Sequence, residues 1–334
     1  MPSSAPRPAA GRRRFTALRP LTLAAATAAT LALLAGCGSS SSAGASSDAA
    51  NDPTPGATSS YPTQDVLSAV AEDSALHAAL LKADPAAANG LSLGTTYSPG
   101  ITGLPHVGEN AQGQNIGADV DLRNAVAKLL GISWNVQNGT FATIIPGVQN
   151  GKFDVGQDNF GVTAAREKIV DFATYLTDGQ ALLAPSDSSL NAVTDITQLC
   201  GLTVGTSPGS TFQTILTANA AKCAAQGKKP YTVDYFSDDA AIWLGLQNGR
   251  IDIFFGPTLS LKYDAAHVPN VKFLSQISST AVGFVTAKGS PLAGLLEQAV
   301  NELIKDGEYQ KILAKWSIDG NGIPRSQLNP TPNL

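Results

Sequence analysis

Three histidines, three cysteines and a shortage of cations set the first bounds on this 334-residue chain. His77, His106 and His267 are scattered with no ligand spacing among them, which argues against a metal site. No G-x-x-x-x-G-K-[ST] phosphate loop occurs, which is consistent with any ATP hydrolysis falling to a separate subunit. Lys and Arg number 22 against 26 Asp and Glu, a formal net charge of -4. Residues 1–36 hold five arginines and no acid, so the remainder carries about -9. That balance excludes nucleic acid as a partner, because phosphate backbones demand basic surface. The apolar run Leu21–Ala35 is also too short to span a membrane. Nothing in this inventory implies a cofactor.

What stands at the N-terminus is an export signal. Arg12-Arg13-Arg14 precede the apolar run, and Leu34-Ala35-Gly36-Cys37 follow it. A basic segment, an apolar segment and small residues before a break describe a secretory signal over 1–36. The Ala35-Gly36-Cys37 sequence resembles a bacterial lipobox, which implies cleavage before Cys37 and lipidation of its thiol. General secretory and twin-arginine export both remain open. Residues 37–60 are rich in Ser, Ala and Gly and read as a flexible tether. A lipid at one end of a tether places the folded part on the outer face of the cytoplasmic membrane. Only Cys200 and Cys223 remain once Cys37 is lipidated, and an extracytoplasmic setting permits them to form a disulfide.

The most informative internal feature is a repeat. Residues 147–155 read GVQNGKFDV and residues 245–253 read GLQNGRIDI, with five of nine positions identical. Each copy ends an apolar helical run with a glycine cap and enters a short apolar strand. A weaker echo links LGTT at 93–96 with VGTS at 204–207. Two echoes in the same order predict two similar α/β lobes. The spacing predicts strands at Ser92–Thr95, Trp134–Val136, Leu202–Gly205, Thr232–Tyr235, 251–255 and 281–289. Helices are predicted at Asp121–Leu130, 141–150, 210–222, 238–248, 291–305 and 306–316. A leading helix within 61–90, about 64–82, is expected to pack outside this core pattern. Lobe 1 is expected to comprise 91–182 plus 284–330, and lobe 2 186–281. Segments 181–185 and 281–286 are then the expected crossovers and hinges.

The chain resembles the extracellular solute-binding proteins of ABC importers, polar amino-acid family 3, over roughly residues 90–318. The resemblance rests on motifs in the family's order. These are Gly94-Thr95-Thr96-Tyr97-Ser98-Pro99, Gly117-Ala118-Asp119-Val120-Asp121-Leu122, the two repeat copies, Thr163-Ala164-Ala165-Arg166-Glu167-Lys168 and Val170-Asp171-Phe172. Val204-Gly205-Thr206 and the stretch from Asp306-Gly307-Glu308-Tyr309 to Lys315-Trp316 complete the set. The fold implied is α/β: two Rossmann-like lobes with a ligand cleft between them and a two-segment hinge, the type II periplasmic-binding-protein architecture. The function implied is capture of an amino acid or related small carboxylate and delivery to an ABC permease. The resemblance thereby implies a monomer without catalytic activity.

The resemblance also assigns residues. Arg166 matches the arginine that grips the ligand's α-carboxylate, and a guanidinium fork suits that group in two parallel bonds. Ser210 and Thr211, opening a helix in lobe 2, would close on the same carboxylate; Ser210 equally reads as a plain N-cap. Tyr97 and Phe141 match aromatic walls over the ligand side chain, and Phe160 lies in the binding turn with Asn159. Two positions depart from the pattern. Gly161 stands where a hydroxyl residue is usual, and Pro257 stands where an acid usually holds the α-ammonium. Either the ligand lacks that ammonium or another carboxylate substitutes. Asp158 is the candidate, although it also reads as a turn aspartate capping its own backbone. Facing aromatic residues, Asp158 would favour a cationic or quaternary-ammonium ligand. Two other readings stay open: a lipid-anchored sensor, and a dehydratase-like enzyme on the same scaffold.

Overall fold

The structure, a computed structural model, describes residues 61–334. The expectations for the signal at 1–36, lipidation of Cys37 and the tether at 37–60 lie outside these residues. In chain order the first half contains α1 Ser74–Ala83, β1 Leu91–Thr96, β2 Gly108–Glu109, β3 Asn115–Ile116, α2 Ala118–Leu130, β4 Trp134–Gly139, α3 Phe141–Gln149, β5 Val155–Gly161 and α4 Ala164–Glu167. The chain continues with β6 Val170–Pro185, β7 Thr203–Thr206, α5 Thr211–Asn219, α6 Ala221–Ala225, β8 Thr232–Tyr235 and α7 Asp239–Gln247. It closes with β9 Ile253–Pro257, α8 Thr258–His267, β10 Val271–Ala287, α9 Leu292–Lys305 and α10 Glu308–Lys315.

Eight strands form one sheet in the order β4-β1-β5-β10-β6-β9-β7-β8, while β2 and β3 pair separately. Strands β4, β1 and β5 run parallel, as do β8, β7 and β9. Between these trios lie β6 and β10, antiparallel along their length. Strand β10 pairs with β5 through Val282–Thr286, and β6 pairs with β9 through Gln180–Leu183. Each lobe is therefore a parallel trio extended by one half of the same two long strands. Apolar clusters cover both faces in each lobe. In lobe 1 they gather under α2, α9 and α10 on one face and α3 on the other. In lobe 2 they gather around Leu216 and Cys223 on one face and under α7 and α8 on the other.

The repeat has the same physical content in both copies. Gly151 and Gly249 take φ of 76° and 72°, the left-handed region a glycine enters at no cost. The aspartate that follows ties the first strand of its lobe. Asp154 Oδ2 accepts the Ser92 N–H at 2.7 Å, and Asp252 Oδ2 accepts the Thr203 N–H at 2.7 Å. The apolar residue between them fills space that glycines leave open. A Cβ on Gly94 or Gly147 would stand 2.5 Å from the Phe153 ring, and one on Gly205 would stand 2.3 Å from Ile251. Family motifs distant in sequence also meet: Asp121 on α2 accepts Trp316 Nε1 at 2.6 Å and pairs with Lys315 Nζ at 2.8 Å.

Three expectations change. The leading helix begins at Ser74, where Asp73 caps the Ala75 and Leu76 N–H groups. It packs into lobe 1 rather than outside it, because Leu76 and Leu80 join Val66 and Val70 in the core. The strand expected at 281–289 is the second half of β10, which begins at Val271. The crossover expected at 181–185 falls earlier, since Ala181–Leu183 already pair with β9 in the lobe 2 sheet. The other, at 281–286, lies largely within the lobe 1 pairing of β10. The strands change partners around Asp178–Gln180 opposite Ser278–Thr280, a polar stretch between two apolar ones. The disulfide is present between Cys200 and Cys223. Among the described residues no helix is long and apolar enough to cross a membrane.

Gly94→Ala is expected to lower the unfolding free energy by about 2 kcal/mol through overpacking against Phe153. Gly294→Ala, in α9 with open space around the added Cβ, is expected to raise it by about 0.5 kcal/mol through helix propensity. Urea denaturation followed by circular dichroism measures both.

Candidate functional site

The lobes enclose a cavity of about 270 Å³ at the crossing of β6 and β10. Arg166 lies in its wall, only 9 % exposed. Thr163 starts α4 by accepting the Arg166 N–H, so the one-turn helix presents the arginine back toward β5. Its Nη1 donates to the Gly161 carbonyl at 2.9 Å, within lobe 1. Its Nη2 donates to the Gly209 carbonyl at 3.0 Å, across the cleft in lobe 2. Five N–H donors on a guanidinium leave three for a ligand. The rings of Phe141 and Phe160 sit 5.5 and 5.6 Å from its Cζ and 4.9 Å from each other. Burial lowers the Arg166 pKa to about 10, and Asp158 opposes that fall. The side chain therefore stays cationic at neutral pH.

Opposite Arg166 stands the start of α5. Ser210 donates its hydroxyl to the Ser207 carbonyl at 2.6 Å and accepts the Gln213 N–H at 3.1 Å. Its hydroxyl is thus a cap, while the backbone N–H groups that follow have no helical acceptor and suit an anion. Thr211 accepts from Gln180 Nε2 at 3.2 Å, which ties α5 to the crossing strand.

Gly161 has a steric reason to lack a hydroxyl side chain. A Cβ there would approach Thr280 Cγ2 at 2.8 Å, so Thr280 fills that volume from β10. Phe160 is fully buried in the lobe 1 core and backs Phe141 rather than lining the cavity, a correction to its expected place in the binding turn. Tyr97 lines the cavity but is 46 % exposed, its hydroxyl donating to Glu109. It stands at the rim rather than as an inner wall, because Glu109 in the β2–β3 ribbon holds it outward. Asn159 takes φ 51° and aims Nδ2 at Asp178 Oδ2, 2.8 Å away.

Asp158 does not cap its own backbone. Thr96 donates to its Oδ1 at 2.7 Å, while Oδ2 is sealed from solvent with no hydrogen-bond partner. Burial, against the help of Thr96 and together with Asp239 and Asp119, pushes its pKa up to about 7. Sequence reasoning missed several wall residues. Asp239, the first residue of α7, enters from lobe 2, and burial followed by Asp238 raises its pKa to about 6. The Ser237-Asp238-Asp239 run after β8 was its only signal.

Also missed was a buried ionic pivot. His106 bonds Asp119 at 3.3 Å and Asp178 at 3.0 Å. Asp178 further accepts the N–H groups of Gly179 and of Leu259 on α8 at 2.7 and 3.1 Å. One carboxylate on the crossing strand so holds both lobes. Burial works against charge on His106, but Asp119 and Asp178 outweigh it and hold its pKa at about 10. Among the described residues no three His, Cys, Asp or Glu side chains are grouped to hold a metal.

Residues 102–319 match the model of the bacterial extracellular solute-binding proteins, family 3. The chain belongs to that family. It is 28 % identical over 229 residues to the arginine-binding protein ArgT of Corynebacterium glutamicum, covering 67 % of this chain and 74 % of ArgT. Among solved structures it is similar to an ancestral arginine-binding protein bound to arginine, at 30 % identity and a TM-score of 0.60, covering 68 % of this chain and 97 % of the other. A second similar structure is the ancestral amino acid-binding protein AncCDT-1, described as a precursor of cyclohexadienyl dehydratase. It shows 27 % identity and a TM-score of 0.61, covering 70 % and 99 %.

The raised pKa of His106 fixes a stability window. A folded-state pKa above the unfolded value of about 6.5 stabilises fully below that pH and less as pH climbs toward 10. His106→Asn should be less stable than the wild type by about 3 kcal/mol at pH 6. The gap should close by pH 10, as read from urea unfolding across that range.

Proposed function

We propose that this family 3 solute-binding protein captures an amino acid or related small carboxylate and delivers it to an ABC permease. Arg166 carries the reading. It is a buried cation between the lobes, with donors to spare and a helix N-terminus facing it. A carboxylate placed there would meet the guanidinium from lobe 1 and the α5 backbone from lobe 2, and so would hold the lobes together. The arginine-binding relatives support an amino acid as the ligand class. Cys37 would anchor the protein by lipid to the outer face of the membrane, and it would work as a monomer without cofactor or chemistry.

A second reading has one observation behind it. Asp158, with a pKa of about 7 in a closed cavity, is placed to move a proton as a general acid or base. The likeness to a dehydratase precursor points the same way. Recovery of bound ligand unaltered after prolonged incubation separates capture from turnover.

Arg166→Ala is expected to weaken amino-acid binding at least about 100-fold, since it strips a buried partner from the ligand's charge. Isothermal titration with the fold checked by circular dichroism measures this. Undiminished affinity in a folded variant would remove the carboxylate role.

A further inference from the structure

We propose that the cavity selects a ligand carrying one carboxylate and two cationic groups, and that Asp158 and Asp239, one acid from each lobe, impose that selection. The inference rests on the carboxylate role of Arg166 proposed above. It follows from the charges in the cavity wall. Asp119 and Asp178 share His106 between them, and Arg123 lies buried beside Asp119. Asp238 spends its Oδ1 on the Ala241 N–H as the cap of α7 and is exposed. What remains is Arg166 against Asp158 and Asp239.

An α-amino acid brings a carboxylate for Arg166 and one ammonium for a first acid. The second acid then demands another cation, which only the ligand's side chain can supply. Asp158 has a sealed oxygen with no partner. Asp239 makes no side-chain hydrogen bond among the described residues, and it raises the pKa of Asp158. Two like charges brought together by closing lobes oppose closure unless a cation lies with them. A neutral side chain would leave a desolvated carboxylate unpaired, and an acidic one would add a third negative charge. Rejection by an unmet charge gives selectivity without any added contact. Asp239 thereby supplies from the head of α7 the lobe 2 acid missing at Pro257.

The pH response has a defined sign. Around Asp158 lie Thr96, Asp119, Arg123, Arg166, Tyr175 and Asp239, and around Asp239 lie Asp238, Asp158 and Asp264. With the free acids titrating at about 7 and about 6, a cationic ligand favours their ionised forms. Binding should then release protons near pH 6.5 and weaken as pH falls from 8 to 5.

The test is isothermal titration of the full-length protein with arginine, lysine, glutamine and glutamate. At pH 8, arginine or lysine is expected to bind at least about 30-fold tighter than glutamine. Asp158→Asn and Asp239→Asn should each reduce that ratio about tenfold or more while Arg166 still holds the carboxylate. Wild-type protein that binds glutamine as tightly as arginine would overturn the inference, as would folded Asn variants that keep the ratio. Should those variants fold poorly, titration of the wild type at pH 6.5 in two buffers of different ionisation enthalpy decides, and arginine binding without proton release overturns it. If Arg166→Ala retains affinity while the ratio persists, the carboxylate reading fails instead. If none of the four binds, both readings fall.

Discussion

Arg166 stays charged at any relevant pH, yet its guanidinium lies between two lobes and away from water. A cation so placed needs electron-rich neighbours, and two backbone carbonyls supply them: Gly161 from its own lobe and Gly209 from the other. Neither carries a full negative charge, and it is Asp158 in the cavity wall that opposes the effect of burial on the cation. Several neighbouring residues fix how this position is held. Thr280 fills the volume beside Gly161, Thr163 aims the one-turn helix, and Ser210 gives its own hydroxyl to the Ser207 carbonyl.

The repeated unit was legible because its physics is local. A glycine in the left-handed region, an aspartate that returns to the first strand and an apolar residue packed against glycines all leave marks within nine residues. Arg166 was legible for a related reason, since its helix start and the strand before it form one continuous segment. The first half of β10 was not. Ser275, Gln276, Ser278 and Ser279 break any apolar run, and their strand conformation comes from pairing with β6 a hundred residues earlier. The leading helix was misplaced outward because its two buried leucines are too few to advertise a core-facing stripe.

The polar crossing that hid in the sequence is what joins the lobes. Asp178 takes His106 and Asn159 on the lobe 1 side and the Leu259 N–H on the lobe 2 side. A single carboxylate with four donors resists displacement, while the strands around it hold few apolar side chains that would lock the lobes in one pose. Gln180 extends the linkage, bonding Thr211 at the head of α5 and accepting from Ser278 on the partner strand. Movement of the lobes about this stretch would therefore carry the head of α5 with it. The residues that link the lobes at this crossing are thus polar side chains on two strands.

Histidine placement shows why composition alone misjudged the site. Three scattered histidines argue against a metal cluster by spacing, but one of them, His106, is folded between two aspartates far away in sequence and holds a buried positive charge. Its role becomes visible only once α2 and β6 bring Asp119 and Asp178 to it. With that pair satisfied, and Asp238 turned to capping, the remaining carboxylates in the wall exceed the remaining cation by one. The surplus falls on Asp158 and Asp239, acids contributed to the cavity wall by opposite lobes. On the proposed reading, a carboxylate at Arg166 calls for cations opposite it.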